Sequence, residues 1–307
     1  MYGKKTVSKK TVIITGGAGA PSPPGIFKGK QMKKTLILLL LLPLILCSCN
    51  TGNAGGSIKI IFADVGKADL ILICRDGKFG LIDAANKTDK DKIDALFREN
   101  GVKSLEFALA THNDKDHIGA MQHVIENYKP AALYITPLEG EGKLYKNMID
   151  AANAAGVKTT ALRAGDSFAL GGASFSVLSP DDKTLALKDE NEASVVVKMT
   201  FGKNTVLFTG DANFGAEKRM LETYPDALSA DVIKIAHHGG DKSSSQIFLQ
   251  KVGAKYAIIS TGDERPAADV TLNAISACGM ECFNTHTDGD ITLTIENGNI
   301  NITKKGK

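Results

Sequence analysis

The stretch Thr111-His112-Asn113-Asp114-Lys115-Asp116-His117 places four metal-competent side chains within six residues, directly after an apolar run from Leu105 to Ala110 that reads as a strand. Imidazole nitrogens and carboxylate oxygens are ligands that divalent cations take from proteins. A strand ending in a tight loop sends successive side chains to opposite sides of one small volume. His112 and Asp114 can therefore converge on one point while Asp116 and His117 reach a neighbouring one, which allows two adjacent metal positions. The bland alternative is a solvated charged loop. One loop cannot fill two coordination spheres, so further ligands must come from the ends of other strands. Thr205 to Asp211 is an apolar run closing on Thr209-Gly210-Asp211, and Asp231 to Gly240 is another closing on His237-His238-Gly239-Gly240. Asp211 could bridge two ions, and one member of the histidine pair would complete the second position.

The elements that must hold these residues are legible as periodicities. Ile118, Met121, Ile125 and Tyr128 recur at helical spacing, which puts Asp116 where an N-cap would stand and braces the loop with a buried helix. Thr88 to Asn100, Gly142 to Ala155, Asn213 to Tyr224, Ser244 to Val252 and Ala268 to Cys278 read as outer helices, with strands between them. Asp288-Gly289 and Asn297-Gly298 read as hairpin turns. Leu81-Ile82-Asp83-Ala84-Ala85-Asn86 also parallels Phe208-Thr209-Gly210-Asp211-Ala212-Asn213, each followed at similar distance by a strand ending in histidine. Such self-similarity predicts two related β-rich halves with metals at their shared edge, an α/β fold of the four-layer αββα sandwich kind.

Six blocks in order resemble the metallo-β-lactamase-fold hydrolases, and within them the hydrolase domain of the ComEC competence proteins. They are Asp64-Val65-Gly66-Lys67-Ala68-Asp69, Leu81-Ile82-Asp83, His112 to Ala120, Asn191-Glu192-Ala193-Ser194-Val195-Val196, Thr209-Gly210-Asp211 and His237-His238-Gly239-Gly240. The resemblance covers residues 58 to 304. Lys67 and Ala68 stand where that group has Gln and Gly, Ala120 and Gly240 where it has Gly and Ser, and Glu264-Arg265-Pro266 where it has Gly-His-Pro. If the missing late histidine binds phosphate or moves a proton, Arg265 or His237 must do so here.

The resemblance also implies a ligand set. Many superfamily members carry His where Asp114 stands, and another His before the bridging Asp. Only His123 lies in that interval, six residues after His117, on a different helix face, where it reads as an exposed helix residue. The first position then keeps His112, Asp114, Asp211 and water, and the second takes Asp116, His117, Asp211 and His238. An oxygen-rich first position shifts preference from Zn²⁺ toward Mn²⁺ or Mg²⁺. One or two divalent ions, Zn²⁺ or Mn²⁺, are expected. Adjacent residues at an extended strand end point to opposite sides, so His238 is the expected ligand and His237 a substrate contact. Asp116, Asp211 and His237 are the expected catalytic residues. Asn191 and Ser194 could orient water or substrate, although a strand-entry turn accounts for them equally well. His286 reads as a surface residue, and Asp64, Asp69 and Asp83 as loop-stabilising ones.

The chemistry implied is metal-dependent hydrolysis, with a metal-activated water as nucleophile and a phosphodiester, DNA or a smaller phosphoester, as substrate. A non-catalytic binding lipoprotein stabilised by one metal is the rival, motivated by the missing histidines.

With 307 residues, 43% of them apolar, the chain suits one large globular domain, residues 58 to 304, plus appendages. From Met32 the sequence runs Met-Lys-Lys, then the largely apolar Leu36 to Cys47, then Ser48-Cys49-Asn50. That apolar run falls short of the ~20 residues a membrane span needs and reads as a secretory signal over 32 to 48. Leu46-Cys47-Ser48-Cys49 looks like a lipobox with Cys49 as the lipidated residue. It would tether the domain to the outer face of a bacterial membrane through a linker over 49 to 57. Lys28-Gly29-Lys30-Gln31 can be encoded by a ribosome-binding sequence, which predicts translation from Met32 and makes 1 to 31 an untranslated extension. Within it Thr11 to Ala20 mimics a dinucleotide-binding turn, but Pro21, Pro23 and Pro24 forbid the helix that should follow.

Residues 1 to 48 carry eight lysines and no acid, so the formal +3 of the full sequence becomes −5 beyond them. A negative surface argues against broad, salt-driven nucleic-acid binding and favours a small phosphoester over DNA. Cys74, Cys278 and Cys282 remain beyond the signal; the last two could pair, and Cys74 reads as core.

Overall fold

The computed structural model describes residues 56–306. The upstream extension, the signal segment, Cys49 and the linker as far as residue 55 lie outside the described residues. The strands are β1 (Ser57–Phe62), β2 (Ile71–Arg75), β3 (Lys78–Ile82), β4 (Phe107–Ala110), β5 (Ala132–Ile135), β6 (Lys158–Ala161), β7 (Ser167–Leu170), β8 (Ala173–Ser179), β9 (Val196–Phe201), β10 (Asn204–Phe208), β11 (Val232–Lys234), β12 (Tyr256–Ile259), β13 (Glu281–Asn284), β14 (Ile291–Glu296) and β15 (Asn299–Lys304). They form two sheets, ordered β15-β14-β1-β2-β3-β4-β5-β6 and β13-β12-β11-β10-β9-β8-β7. The helices are α1 (Lys90–Glu99), α2 (Lys115–Ile118), α3 (Met121–Tyr128), α4 (Lys143–Ala155), α5 (Asp182–Leu185), α6 (Phe214–Thr223), α7 (Gln246–Val252), α8 (Asp269–Ala277) and α9 (Thr285–Asp288).

Alternation along the strands explains the layering. In β1, Ile58, Ile60 and Phe62 enter a core between the sheets while Ile61 joins the core under α1, α3 and α4. In β10, Val206 and Phe208 point into the central core and Leu207 into the one under α6, α7 and α8. Three apolar layers therefore separate four layers of secondary structure, which is the αββα sandwich anticipated from the sequence. Phe62 stacks on Phe208 across the central layer at 6.2 Å between ring centroids, and Phe107 meets Phe175 edge-on at 5.6 Å. Burying a side chain of this size contributes on the order of 2 kcal/mol.

The five expected outer helices, α1, α4, α6, α7 and α8, fall within two residues of their expected bounds. Asn297-Gly298 does turn the β14–β15 hairpin, both residues having the positive φ (50° and 75°) that a two-residue turn of this kind requires. Other expectations need correction. Asp288-Gly289 ends α9 rather than turning a hairpin. Asp114, not Asp116, occupies the N-cap position, and the buried helix after it is broken into α2 and α3. Gly119 lies at that break because a Cβ there would meet the Lys87 nitrogen and the Lys115 carbonyl, both at 2.4 Å. Cys278 and Cys282 are unpaired, and Cys74 is partly buried beside the core.

The parallel runs β3-β4-β5 and β10-β11-β12 set the location of the chemistry. Asp83, His112, Asp211 and His238 all follow the carboxyl ends of these strands, where open α/β sheets offer a crevice to ligands.

Candidate metal centre

Backbone hydrogen bonds between loops fix the strand ends against one another. The Asp69 N–H donates to the Asp116 carbonyl (3.1 Å), the Ala84 N–H to His117 (2.7 Å) and the Ala85 N–H to Asp69 (2.9 Å). The two halves are joined where the Val195 N–H donates to the Thr111 carbonyl (2.8 Å). Gly210 has φ +50°, and a Cβ there would lie 3.0 Å from the Thr111 Cβ, so glycine is what lets the β4 and β10 ends approach.

Within this frame the structure brings His112, His117, His238, Asp116 and Asp211 together. Ligand atoms of His112, His117 and Asp211 lie within 4.8 Å of one another, as do those of Asp116, His117 and His238. The expected division into two positions is thus redrawn, with His117 facing both. Asp114 joins neither group: its Oδ2 is 3.6 Å from His112 Nε2, but its side chain is 41% exposed. It interacts with both His112 and Glu190, the latter outside the six matched blocks. The close pair splits its titration, with Asp114 lowered to about 2, chiefly by His112, and Glu190 raised to about 7 by burial and by Asp114.

The histidine tautomers follow from their partners. His238 Nδ1 faces the Ser260 carbonyl at 3.1 Å, which only accepts, and His117 Nδ1 faces Asp83 Oδ2 at 2.7 Å. Each ring therefore donates through Nδ1, and the two Nε2 atoms face each other across 3.2 Å. That contact is repulsive unless a proton or a cation lies between them. Nearby, buried His112 Nε2, Asp211 Oδ1 and Asp69 Oδ1 make no hydrogen bond among the described residues. Asp211 Oδ1 is 3.3 Å from His117 Nε2, outside hydrogen-bond geometry. Buried polar atoms rarely go unpaired, and a convergent set of lone pairs fits a divalent ion. Burial opposes charge on His117, yet Asp211 and Asp83 raise its pKa well above the ordinary histidine value. Burial likewise works to raise the Asp211 pKa, but His117 and His238 hold it well below the carboxylate range.

Residues outside the expected ligand set support this group. Asp83, with φ 59°, accepts the Thr111 N–H (2.8 Å), the Thr111 hydroxyl (2.8 Å) and His117 Nδ1, so its loop-stabilising role extends to aiming a histidine. Asp69 is fully buried, pairs with buried Lys234 at 2.9 Å, and forms a third ligand-competent group with Asp211 and His238. Asp64 accepts the Gly66 N–H within its own loop (3.4 Å). The sequence held a signal for Asp83 in its parallel with Asp211; the buried Lys234–Asp69 pair, between residues far apart in the chain, had none.

The expected substrate contacts fare unevenly. Ser194 is buried and its Oγ accepts the Asp211 N–H (3.1 Å), so it positions the carboxylate's backbone. Asn191 is half-buried, and its carbonyl accepts the Ser194 N–H in the turn that enters β9. His237 and His238 are not alternating residues of an extended strand: both have left-handed backbone, φ 51° and 54°. The result is still a division, with His238 facing the cluster and His237 bonded through Nδ1 to Asn213 Oδ1 (3.0 Å) at the rim. His237, His238 and Arg265 line a cleft of about 510 Å³ with Lys67 and Lys242, and with the acidic Asp241 and Glu264. His123 is not exposed as expected, because its Nε2 meets Asp94 Oδ1 at 2.8 Å between helices. His286 lies away from the cluster with its Nε2 3.1 Å from Asp263.

Residues 63–263 match the family model described as the metallo-beta-lactamase superfamily. The chain belongs to that superfamily. Among curated proteins this metallo-beta-lactamase superfamily member is 32% identical over 162 residues to ComE operon protein 3 of Bacillus subtilis (strain 168), covering 53% of this chain and 20% of that protein. It is 29% identical over 209 residues to Recombination protein 2 of Haemophilus influenzae, covering 66% and 24%. Competence protein ComA of Neisseria gonorrhoeae is 25% identical over 203 residues, covering 65% and 27%. The chain thus spans about a fifth to a quarter of the length of these relatives. Among solved structures, the metallo-beta-lactamase fold protein YhfI from Bacillus subtilis aligns with a TM-score of 0.52 at 13% identity, over 78% of this chain and 100% of that one. That likeness shows the fold.

Proposed function

We propose that this chain is a metal-dependent phosphodiester hydrolase, with Zn²⁺ or Mn²⁺ held by His112, His117, His238, Asp116 and Asp211, and Asp114 beside His112. The observation that carries the reading is the convergence of His117 Nε2 and His238 Nε2, 3.2 Å apart, with buried His112 Nε2 and Asp211 Oδ1 unpaired nearby among the described residues, at a place where His238 also lines a cleft with Lys67, Lys242 and Arg265. A divalent ion bound there supplies Lewis acidity, lowering the pKa of a water and neutralising charge on a phosphoryl group.

The chain's own residues do the rest. Asp83 and the Ser260 carbonyl hold the two imidazoles in the tautomer that presents Nε2. Lys67, Lys242 and Arg265 draw an anionic ester into the cleft and orient it. Burial lowers the His237 pKa, so this ring is neutral near pH 7, and Nε2 is free to take a proton while Nδ1 faces Asn213.

The names of the relatives, a competence protein and a recombination protein among them, support a nucleic acid as one substrate; the net −5 beyond residue 48 favours a smaller diester. Lipidation at Cys49 would place the site at the outer face of a bacterial membrane. Hydrolysis of bis-p-nitrophenyl phosphate by the purified chain with Mn²⁺ or Zn²⁺, parallel cleavage of single-stranded DNA, and loss of both on Asp211→Ala are the expected results. Tight binding of one ion without turnover of either substrate would instead favour a metal-stabilised binding lipoprotein.

A further inference from the structure

Lys67 lies in the loop between β1 and β2, and its Nζ is 3.0 Å from Asp116 Oδ2. That oxygen is also 3.6 Å from His238 Nε2, and Asp116 belongs to the ligand-competent group with His117 and His238. The ammonium therefore sits on a carboxylate that a divalent ion would use. Its backbone is held rigidly: Gly66 has φ +73°, the Ala68 N–H donates to the Gly66 carbonyl (2.9 Å), and a Cβ on Gly262 would meet the Lys67 nitrogen at 2.8 Å. The side chain is the movable part, 23% exposed, on a four-carbon stem that can swing from Asp116 into the cleft it lines.

Two cations cannot share one carboxylate oxygen at close range without repelling each other. An ion that takes Asp116 frees the ammonium beside the place where a phosphoryl group would lie. We propose that Lys67 competes with the divalent ion for Asp116 and, once displaced, binds the phosphoryl oxygens of the substrate. Lys67 thereby couples ion loading to anion binding. It is a binding residue of the site, and the inference rests on the phosphodiester reading for its second half only.

The test uses the full chain and two probes, neither needing turnover. Calorimetric titration with Mn²⁺ should show Lys67→Gln and Lys67→Met binding the ion about three- to fivefold more tightly than the parent, the upper part of the range a partly exposed ion pair supports. Lys67→Arg, which keeps the charge, should stay within about twofold. Titration of the Mn²⁺-saturated proteins with inorganic phosphate should then show about tenfold weaker binding in the Gln and Met variants. Unchanged Mn²⁺ affinity in both neutral variants overturns the proposal, and so does tighter Mn²⁺ binding with undiminished phosphate binding. A parent chain that passes both titrations but hydrolyses no diester would sink the catalytic reading while leaving this role of Lys67 standing.

Discussion

Asp83 illustrates how a single carboxylate sets the geometry of the centre. Its two oxygens accept from the Thr111 N–H, the Thr111 hydroxyl and His117 Nδ1, all in a fully buried setting. Replacing it by asparagine leaves an amide nitrogen facing one or more donors, so the His117 ring loses its fixed tautomer. Asp83→Asn is expected to weaken Mn²⁺ or Zn²⁺ binding by roughly 10- to 100-fold in a calorimetric titration; affinity equal to the parent's would show that Asp83 does not govern His117. From the sequence Asp83 was legible as a residue at a strand end and as the counterpart of Asp211. Its hold on a histidine 34 residues away was not, because only the parallel pairing of β3 and β4 brings the two loops together.

At the scale of elements, helix ends and breaks decide which loops meet. Asp181 caps α5 by accepting the Thr184 N–H and hydroxyl, each at 2.7 Å, and pairs with Arg219 of α6 at 2.7 Å. Burial raises its pKa somewhat, but these partners outweigh it and bring the carboxyl down to about 2 from 3.8. A folded pKa below the unfolded one means the contribution is present above about pH 4 and lost as pH falls through about 2. Asp181→Asn should therefore lower unfolding free energy by about 1 kcal/mol at pH 7, given partial exposure, and the gap should close toward pH 2 in denaturant titrations. A gap that stays constant with pH would assign the effect to the cap alone. The break between α2 and α3 makes a second case. Gly119→Ala forces a Cβ into the backbone of residues 85–87 and should cost about 3 kcal/mol by thermal or chemical melting, where an ordinary helical Gly-to-Ala change stabilises. Periodicity located the helical segment but merged α2 with α3, since the obstacle at Gly119 comes from a loop about thirty residues earlier.

For the whole molecule, loading of the centre and its net charge have measurable consequences. His117, His238, His112, Asp116 and Asp211 converge from both halves of the sandwich, so a bound ion links them and stabilises the folded chain by mass action. At an ion concentration 100-fold above its dissociation constant the gain is about 2.7 kcal/mol, or about 5 °C in Tm for a domain of this size. Scanning calorimetry with and without a chelator measures this, and coincident transitions would contradict a centre bridging the halves. The net −5 beyond residue 48 predicts weak, shallowly salt-dependent binding of duplex DNA, with a log–log slope no steeper than about −2. A slope several-fold steeper in fluorescence titrations would point to a basic track that the charge balance does not suggest.

The sequence by itself determined the layers and the chemical identity of the site. Two-residue alternation in the strands, helical periodicity between them and the dense His/Asp loop after β4 are local properties, written in consecutive residues. What only the tertiary structure decided is how those residues face one another. His117 sits between two ligand groups, Asp114 interacts with both His112 and Glu190, Ser194 holds the Asp211 backbone and Lys67 lies on Asp116. Each of these depends on loops from different strands closing over a few ångströms. Close approach in space is set by sheet register and packing, and residue spacing along the chain does not encode it.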